Sequence, residues 1–150
     1  MTSVLLDLDV LGDTHALWED WLEHAQAVLG LAPHLLPHDR AEAAAVLDAG
    51  RVGNWRVLLE RFAEDRAPLY VRPAADTGAA IRRLHAAGTE LAVFTDAPLE
   101  LARVALAHTG AERRVSVLES GEGALARLRE RFGDDARVVA TREELTHLVP

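Results

Sequence analysis

The stretch VLLDLDVLGDT, Val4–Thr14, decides the fold of this chain. A short apolar run leads into two aspartates, Asp7 and Asp9, and a helix-like segment follows. Such a run, ended by polar residues, is typical of a buried strand. Ligands bind beyond the carboxyl ends of strands in open parallel sheets, so this position favours a functional role for both carboxylates. A strand that ends in a polar turn, with Asp13 or Thr14 capping the next helix, would give the same pattern.

Length, composition and charge limit the class of protein. The chain has 150 residues, which suits one domain or a core with one insertion, and 49% of them are hydrophobic. The formal net charge of −8 argues against nucleic acid or an anionic membrane surface as a partner. The absence of cysteine excludes disulfides, thiolate metal sites and cysteine nucleophiles. There is no signal-peptide pattern and no apolar stretch long enough to span a bilayer, so a cytoplasmic location is predicted.

The rest of the chain alternates between helix-like and strand-like segments. Helices are predicted at 16–29, 40–49, 54–67, 76–87, 98–108, 123–132 and 143–148, and strands at 4–8, 90–95, 115–118 and 137–140. This alternation predicts an α/β fold, a doubly wound, Rossmann-like parallel sheet with helices on both faces. Residues 15–72 carry only helical patterns, with an extended link at 69–72 between two prolines. We therefore expect them to form a helical cap inserted into a core of residues 1–14 and 73–150.

Polar side chains follow each predicted strand, and their chemistry suits phosphoryl transfer. The clusters are Asp7 and Asp9; Thr95 and Asp96; Glu119, Ser120 and Glu122; and Thr141, Arg142, Glu143 and Glu144. One aspartate can attack phosphorus and form an acyl phosphate, while the other protonates the leaving oxygen and then deprotonates water. Carboxylates this close repel each other, so a hard cation is expected, and Mg²⁺ prefers such oxygen ligands.

The same stretches resemble the motifs of a known enzyme family. VLLDLDVLGDT resembles the first motif of the haloacid dehalogenase superfamily, a hydrophobic run followed by D-x-D-G-(T/V)-L-x-D-(T/S). LAVFTDAP, residues 91–98, resembles the second motif, a hydrophobic strand followed by Thr or Ser, and the insertion matches the usual cap position. The resemblance covers most of residues 1–110. It implies that Asp7 is the nucleophile, Asp9 the general acid/base and Thr95 a phosphate-binding residue, with Mg²⁺ between Asp7 and the Asp9 carbonyl.

Three departures from the family pattern affect the predicted site. Val10 stands where the first motif has glycine, so the turn is either shortened or rebuilt around Gly12. All 16 basic residues are arginine, so the family's lysine is missing. Arg127 or Arg114 is predicted to replace this lysine as the phosphate-binding cation. The fourth motif, an acidic cluster after the last strand, is also missing. Glu143 or Glu144 is predicted to replace it as a metal ligand beside Asp7 and Asp9. Gly133–Asp134–Asp135 has the letters of the fourth motif but precedes the last strand.

The sequence thus predicts a Mg²⁺-dependent hydrolase, a phosphatase acting on a small phosphorylated metabolite through an aspartyl-phosphate at Asp7. Asp96 is expected to join Thr95 in phosphate binding. An alternative is a catalytically degenerate protein that uses the same pocket to bind a ligand or a protein; a homo-oligomer or protein contact would then form through the cap. A dehalogenase is a third alternative, which shares the nucleophile but needs no Mg²⁺, and Asp9 argues against it. The cap aromatics Trp18, Trp21 and Trp55 could form either its core or a substrate cage.

Overall fold

The computed structural model describes residues 2–150. The strands are β1 (Ser3–Asp7), β2 (Glu90–Thr95), β3 (Val117–Ser120) and β4 (Arg137–Val139). The helices are α1 (Thr14–Leu29), α2 (Arg40–Ala49), α3 (Trp55–Tyr70), α4 (Ala75–Ala86), α5 (Leu99–His108), α6 (Ala124–Phe132) and α7 (Arg142–His147), with short 3-10 helices at Leu8–Val10, Pro33–Leu35 and Glu112–Arg114.

The four strands form one parallel sheet in the order β3-β2-β1-β4. β1 is central, and its Leu5 pairs with Ala92 of β2 on one side and with Val138 of β4 on the other. The chain starts in the middle of the sheet and extends it in both directions, which is the doubly wound arrangement that the strand and helix pattern predicts. Because all strands are parallel, their carboxyl ends meet at one edge.

Both faces of the sheet are covered by helices, as alternation along each strand requires. Leu5 and Ala92 point to one face, where they pack with Leu128 of α6. Leu6 and Val93 point to the other face and belong to the larger core that includes helices α1 to α5. The sheet is therefore fully buried in its centre, and the predicted α/β fold class is confirmed.

Helices α1, α2 and α3 lie between β1 and α4, where the sequence predicts the cap. α1 packs against α3, and α3 packs against α5 of the core. Trp18, Trp21 and Trp55 are buried within this helical layer, so they form its core and not an exposed substrate cage. The boundaries 15–72 of a separate cap domain stay a prediction.

Two local predictions were wrong. The prolines were expected to flank an extended link, but α3 continues through Pro68 to Tyr70. A proline two residues before a helix end removes a hydrogen bond only in the last turn, where exposed carbonyls can bind water. β3 begins at Val117, two residues later than predicted, and therefore includes Glu119 and Ser120. Among residues 2–150, no helix has the length and apolar character needed to cross a bilayer.

Candidate active site

Asp7 and Asp9 lie at the carboxyl edge of β1, where the sequence places them. Asp7 ends the strand, and a 3-10 turn over Leu8–Val10 follows directly. The carboxylate Oδ1 of Asp7 caps this turn by accepting a hydrogen bond from the Asp9 backbone N at 3.0 Å. Leu8 and Val10 are buried beneath the turn. The turn therefore anchors both acidic residues at the edge of the sheet.

The turn needs no glycine after Asp9, which resolves the first departure from the motif. Among residues 2–150, Arg51 is the only residue other than glycine with positive φ, so Val10 adopts an ordinary backbone conformation. Gly12 is required for a different reason. A Cβ built there would lie 2.7 Å from Cγ1 of Val71, at the end of α3. The turn is thus rebuilt around a close approach between Gly12 and the chain that leaves the helical layer.

Replacing Gly12 by Ala is expected to destabilise the protein by about 1–3 kcal/mol, because Val71 or the turn must move to admit the methyl group. Urea unfolding measures this loss. In the double variant Gly12→Ala/Val71→Ala, the space vacated by the valine admits the new methyl group. The stability loss of the double variant should therefore be smaller than the sum of the losses of the two single variants. Additive losses would show that the contact is not the cause.

The Asp9 carboxylate is held by donors on both oxygens. Oδ1 accepts from the backbone N and the Oγ1 hydroxyl of Thr14, at 2.7 and 2.8 Å. Oδ2 lies 2.8 Å from Nδ1 of His15 and 3.3 Å from Nη2 of Arg40. Thr14 is the first residue of α1, so the helix start fixes this carboxylate. An acid/base group that is fixed in this way keeps one orientation toward a substrate.

Arg40 lies among the candidate site residues, and the sequence analysis missed it. It is the first residue of α2, yet only 1% of its surface is exposed. Its Nε and Nη2 donate to Asp96 Oδ1 at 3.0 and 2.7 Å, and its backbone N donates to Asp96 Oδ2 at 3.1 Å. Nη2 also lies 3.3 Å from the Thr95 hydroxyl, and Nη1 donates to Thr14 at 2.8 Å. The guanidinium therefore lies in the centre of the site and joins the helical layer to the sheet edge.

One local signal could have drawn attention to Arg40. A cation at a helix N-terminus opposes the helix dipole and needs a compensating anion. The sequence supplies Asp39 as the cap of α2, and its side chain accepts from the Glu42 N as the capping-box pattern predicts. The partner that burial demands, Asp96, is distant in the sequence and could not be paired with Arg40 by pattern alone.

The surroundings shift the pKa values of Asp7 and Asp96 in opposite directions. Burial raises the pKa of Asp7, and the nearby Asp9 charge adds to this, although the hydrogen bond from the Asp9 N and the charges of Arg40 and His15 oppose it. Burial would also raise the pKa of Asp96, but the hydrogen bonds and positive charge of Arg40 outweigh it and hold that pKa below 3.8. The ionised form of Asp96, which fixes Arg40, is thus favoured in the folded protein, while Asp7 ionises at a cost to folding.

Asp7→Asn is therefore expected to raise the stability of the folded protein at neutral pH. The folded pKa of Asp7 lies above the ordinary 3.8, so the wild type loses stability as the pH rises from that value through the raised pKa, and the asparagine variant does not. Asp96→Asn should have the opposite sign, because a lowered pKa gives stability that is present above pH 3.8 and lost as the pH falls. Thermal unfolding between pH 3 and pH 8 compares the stability of each variant with that of the wild type. A difference between Asp7→Asn and the wild type that does not change with pH would contradict the raised pKa of Asp7.

Thr95 ends β2 and Asp96 follows it, so both lie next to this cluster. The Thr95 hydroxyl is 3% exposed and accepts from the Ala97 N at 3.2 Å, so it is oriented at the strand end. A phosphate-binding role for Thr95 stays a prediction. Asp96 was predicted to bind phosphate too, yet in this structure its two oxygens are engaged by Arg40. Asp96 therefore holds Arg40 in this structure, and a phosphate-binding role for Asp96 stays a prediction.

The two arginines predicted to replace the lysine are not brought to Asp7. Arg127 donates to Glu119 Oε2 at 2.8 Å and to the Ser120 carbonyl at 2.7 Å, so it is committed to the loop after β3. Arg114 precedes β3, and residues that precede a parallel strand lie at the amino edge of the sheet. The cation among the acidic residues is Arg40 instead.

Of the four predicted metal ligands, Asp7 and Asp9 lie together, but Glu143 and Glu144 do not join them. Glu144 accepts from the Thr141 hydroxyl at 3.0 Å as part of the α7 cap, and Glu143 is exposed on the same helix. Across residues 2–150, no group of three or more His, Asp or Glu side chains could hold a metal ion. The physical reason is that Thr141 starts a helix directly after β4, so the acidic residues belong to a helix turn and not to the strand end.

The donor set still fits a Mg²⁺ ion that arrives with a substrate. Both oxygens of Asp9 are engaged, but Oδ2 of Asp7 accepts no hydrogen bond from the described residues. Mg²⁺ keeps several waters and commonly binds through one or two carboxylates plus substrate phosphate. The residues present therefore suit an ion held by Asp7 and a phosphoryl group, and they do not form a closed carboxylate site for a resident ion.

Open space flanks the cluster on both sides of Arg40. A cavity of about 380 Å³ is lined by Asp9 and the turn at 10–13, together with residues 69–74 and Arg142. A second cavity of about 280 Å³ is lined by Asp96 and Ser120 on the sheet side and by the alanine-rich face of α2. Arg40 bonds to Asp9, which lines the first cavity, and to Asp96, which lines the second. Its guanidinium thus lies between the two spaces.

Two solved structures resemble this chain. CbbY from Rhodobacter sphaeroides in complex with phosphate matches with a TM-score of 0.66 and 18% identity, covering 93% of this chain and 76% of that chain. A protein assigned as a beta-phosphoglucomutase from Thermotoga maritima matches with a TM-score of 0.58 and 18% identity, covering 93% and 75%. Both matches cover 93% of this chain, and they show a shared fold, which agrees with the predicted α/β fold class. No family model and no curated protein matches the chain.

Proposed function

We propose that the chain is a hydrolase for a small phosphate monoester, with Asp7 as the nucleophile. The observation that supports this most is the Asp7 carboxylate at the end of β1, with one oxygen fixed by the Asp9 N and the other without a hydrogen bond from the described residues. A nucleophile needs such a free oxygen beside a group that can exchange a proton. Asp9 is that group in the proposal, and Thr95 and Arg40 supply the hydrogen-bond donors.

The proposed reaction has two steps at Asp7. In the first, Asp7 Oδ2 attacks phosphorus, the ester P–O bond breaks, and the leaving oxygen takes a proton from Asp9. In the second, water attacks the aspartyl-phosphate and gives its proton to Asp9, and breakage of the Asp7–phosphorus bond releases phosphate. Asp9 returns to its protonated state, so both steps balance over one turnover.

Arg40 and Thr95 provide the phosphate contacts in this proposal. A planar guanidinium can donate to two phosphoryl oxygens at once, and in this structure its Nε and Nη2 both donate to Oδ1 of Asp96. A substrate phosphoryl group would take over part of this fork, so Arg40 replaces the absent lysine as the stabilising cation. A Mg²⁺ ion held by Asp7 and the Asp9 carbonyl would supply further charge neutralisation on the phosphoryl group.

A ligand-binding protein without catalysis is the second candidate, and one observation favours it. The buried Arg40 is neutralised by Asp96 and Asp9 within the protein, and no additional carboxylate near Asp7 completes a metal site among residues 2–150. A site of this kind could close the helical layer over the sheet edge as a structural contact. A cytoplasmic location and binding partners through the helical layer also stay predictions.

A hydrolysis assay with a panel of small phosphate monoesters, with and without Mg²⁺, separates the two candidates. We expect phosphate release that requires the cation and is lost in Asp9→Asn, because the leaving oxygen then has no proton donor. Asp134→Asn, an exposed acid outside the site, is the matched control and should retain activity. Absence of phosphate release from the whole panel, by a protein that is folded by circular dichroism, would favour the second candidate.

A further inference from the structure

Another cavity, of about 370 Å³, lies between α4 and the segment after α5. Its walls are largely apolar and include Leu11, Pro73 and Ile81. This volume is within the range of small-molecule sites, which combine an apolar lining with a few polar groups that fix orientation. It shares Leu11, Pro73, Ala74 and Thr77 with the cavity beside Asp9, but none of the acidic residues discussed above lines it.

Among the polar side chains that line the cavity, only the two arginines have hydrogen-bond donors without a partner among the described residues. Thr77 and Thr109 already donate their hydroxyls to the carbonyls of Ala74 and Leu106, at 3.1 and 2.6 Å. Arg82 and Arg114, the other polar residues of the lining, form no ion pair or side-chain hydrogen bond with any described residue. No aspartate or glutamate lines the cavity, although the chain has a net charge of −8.

The guanidinium of Arg82 lies next to Gly78, one helical turn earlier in α4. A Cβ built on Gly78 would lie 3.3 Å from Nη1 of Arg82, so the guanidinium folds back along α4 and over this glycine. Gly78 and Arg82 are four residues apart and share one helix face. Both line the cavity, and Arg114 reaches it from the 3-10 helix before β3. The absence of a side chain at Gly78 thus leaves room for a charged group beside the apolar wall.

We propose that this cavity binds a small organic anion with an apolar body, such as a medium-chain carboxylate. The hydrocarbon part would cover Leu11, Pro73 and Ile81, and the anionic head would accept hydrogen bonds from Arg82 and Arg114. An anion satisfies both arginines, whereas an alcohol or an amine of the same size does not. This site gives Arg114 a role at the amino side of the sheet, and it does not depend on the proposed hydrolysis.

The test is a titration of the protein with octanoate, followed by amide shifts of Gly78 and Gly110 in two-dimensional NMR spectra. We expect saturable shifts at both glycines with octanoate, and at least tenfold weaker binding of octanol, octylamine and inorganic phosphate. Arg82→Gln/Arg114→Gln should weaken octanoate binding at least tenfold. Arg113→Gln, next to Arg114 but outside the cavity lining, is the matched control and should bind as wild type does.

Three results would overturn the proposal: no saturable shift with octanoate, equal binding of octanol, or unchanged binding in the double variant. Arg82 is exposed and Arg114 half-buried, so folding of the variants is expected and is checked by circular dichroism. If the double variant does not fold, the single variant Arg114→Gln and the salt dependence of octanoate binding decide the matter. Binding that does not weaken with salt would then contradict recognition by the arginines.

Discussion

Asp7→Asn is expected to reduce turnover of any phosphate monoester that the protein hydrolyses by at least about a thousandfold. Asparagine preserves the size of the side chain and the oxygen that accepts from the Asp9 N. It removes the negative charge and the free carboxylate oxygen that attacks phosphorus. The measurement is kcat/KM with the best substrate of the panel. Because the fold is kept, the loss belongs to Asp7 itself, as the nucleophile and as a residue that would hold Mg²⁺, and not to unfolding.

The control for this variant is Asp135→Asn, an exposed acid in the turn before β4, which should leave kcat/KM within about twofold. Thermal unfolding of Asp7→Asn must show an intact fold, and the raised pKa of Asp7 leads us to expect a gain in stability and not a loss. Retention of wild-type turnover by Asp7→Asn would exclude Asp7 as the nucleophile.

Arg40→Met is expected to destabilise the protein by about 3 kcal/mol, the lower end for removal of one partner from a buried ion pair. The side chain of Arg40 is 2% exposed, and that of Asp96 is 35% exposed, so water offsets part of the cost to Asp96. The variant leaves Asp96 and Asp9 without their common cation. Methionine fills a similar length without charge, so the loss reports the charge and the hydrogen bonds. Urea unfolding measures it.

Two further variants make the measurement specific. Arg56→Met removes another arginine of the helical layer that pairs with a core acid, Glu100, but its side chain is 38% exposed, and the loss should be at most about 1 kcal/mol. In Arg40→Met/Asp96→Asn, the orphaned charge is also removed, so this double variant should be more stable than the sum of the single losses predicts. Equal losses for Arg40→Met and Arg56→Met would mean that Arg40 is not a buried central contact.

The features that the sequence predicted are those encoded by local patterns. The apolar run before Asp7 fixes a strand whose end must face the carboxyl edge, and the strand at 90–95 was predicted with its observed bounds. The capping box at Asp39 started α2 where it was expected. These signals act over a few residues, so no knowledge of the tertiary structure was needed.

The features that the sequence did not predict depend on contacts between distant residues. Arg40 and Asp96 are far apart in the chain, and only the packing of α2 on the sheet edge brings them together. Arg114 and Glu144 were assigned from proximity in the sequence to a strand, but their places depend on which end of the strand they adjoin and on where the next helix begins. Contacts between the helical layer and the sheet edge could therefore be identified only from the structure.

Thermal unfolding with Mg²⁺ and beryllofluoride, on wild type and Asp7→Asn, tests the central claim most directly. Beryllofluoride mimics an aspartyl-phosphate, so no substrate has to be known, and a ligand that binds only the folded state raises the apparent stability. We expect an increase in Tm for the wild type that requires both Mg²⁺ and beryllofluoride and is absent in Asp7→Asn. No increase in the wild type, or an equal increase in Asp7→Asn, would contradict a phosphoryl site at Asp7.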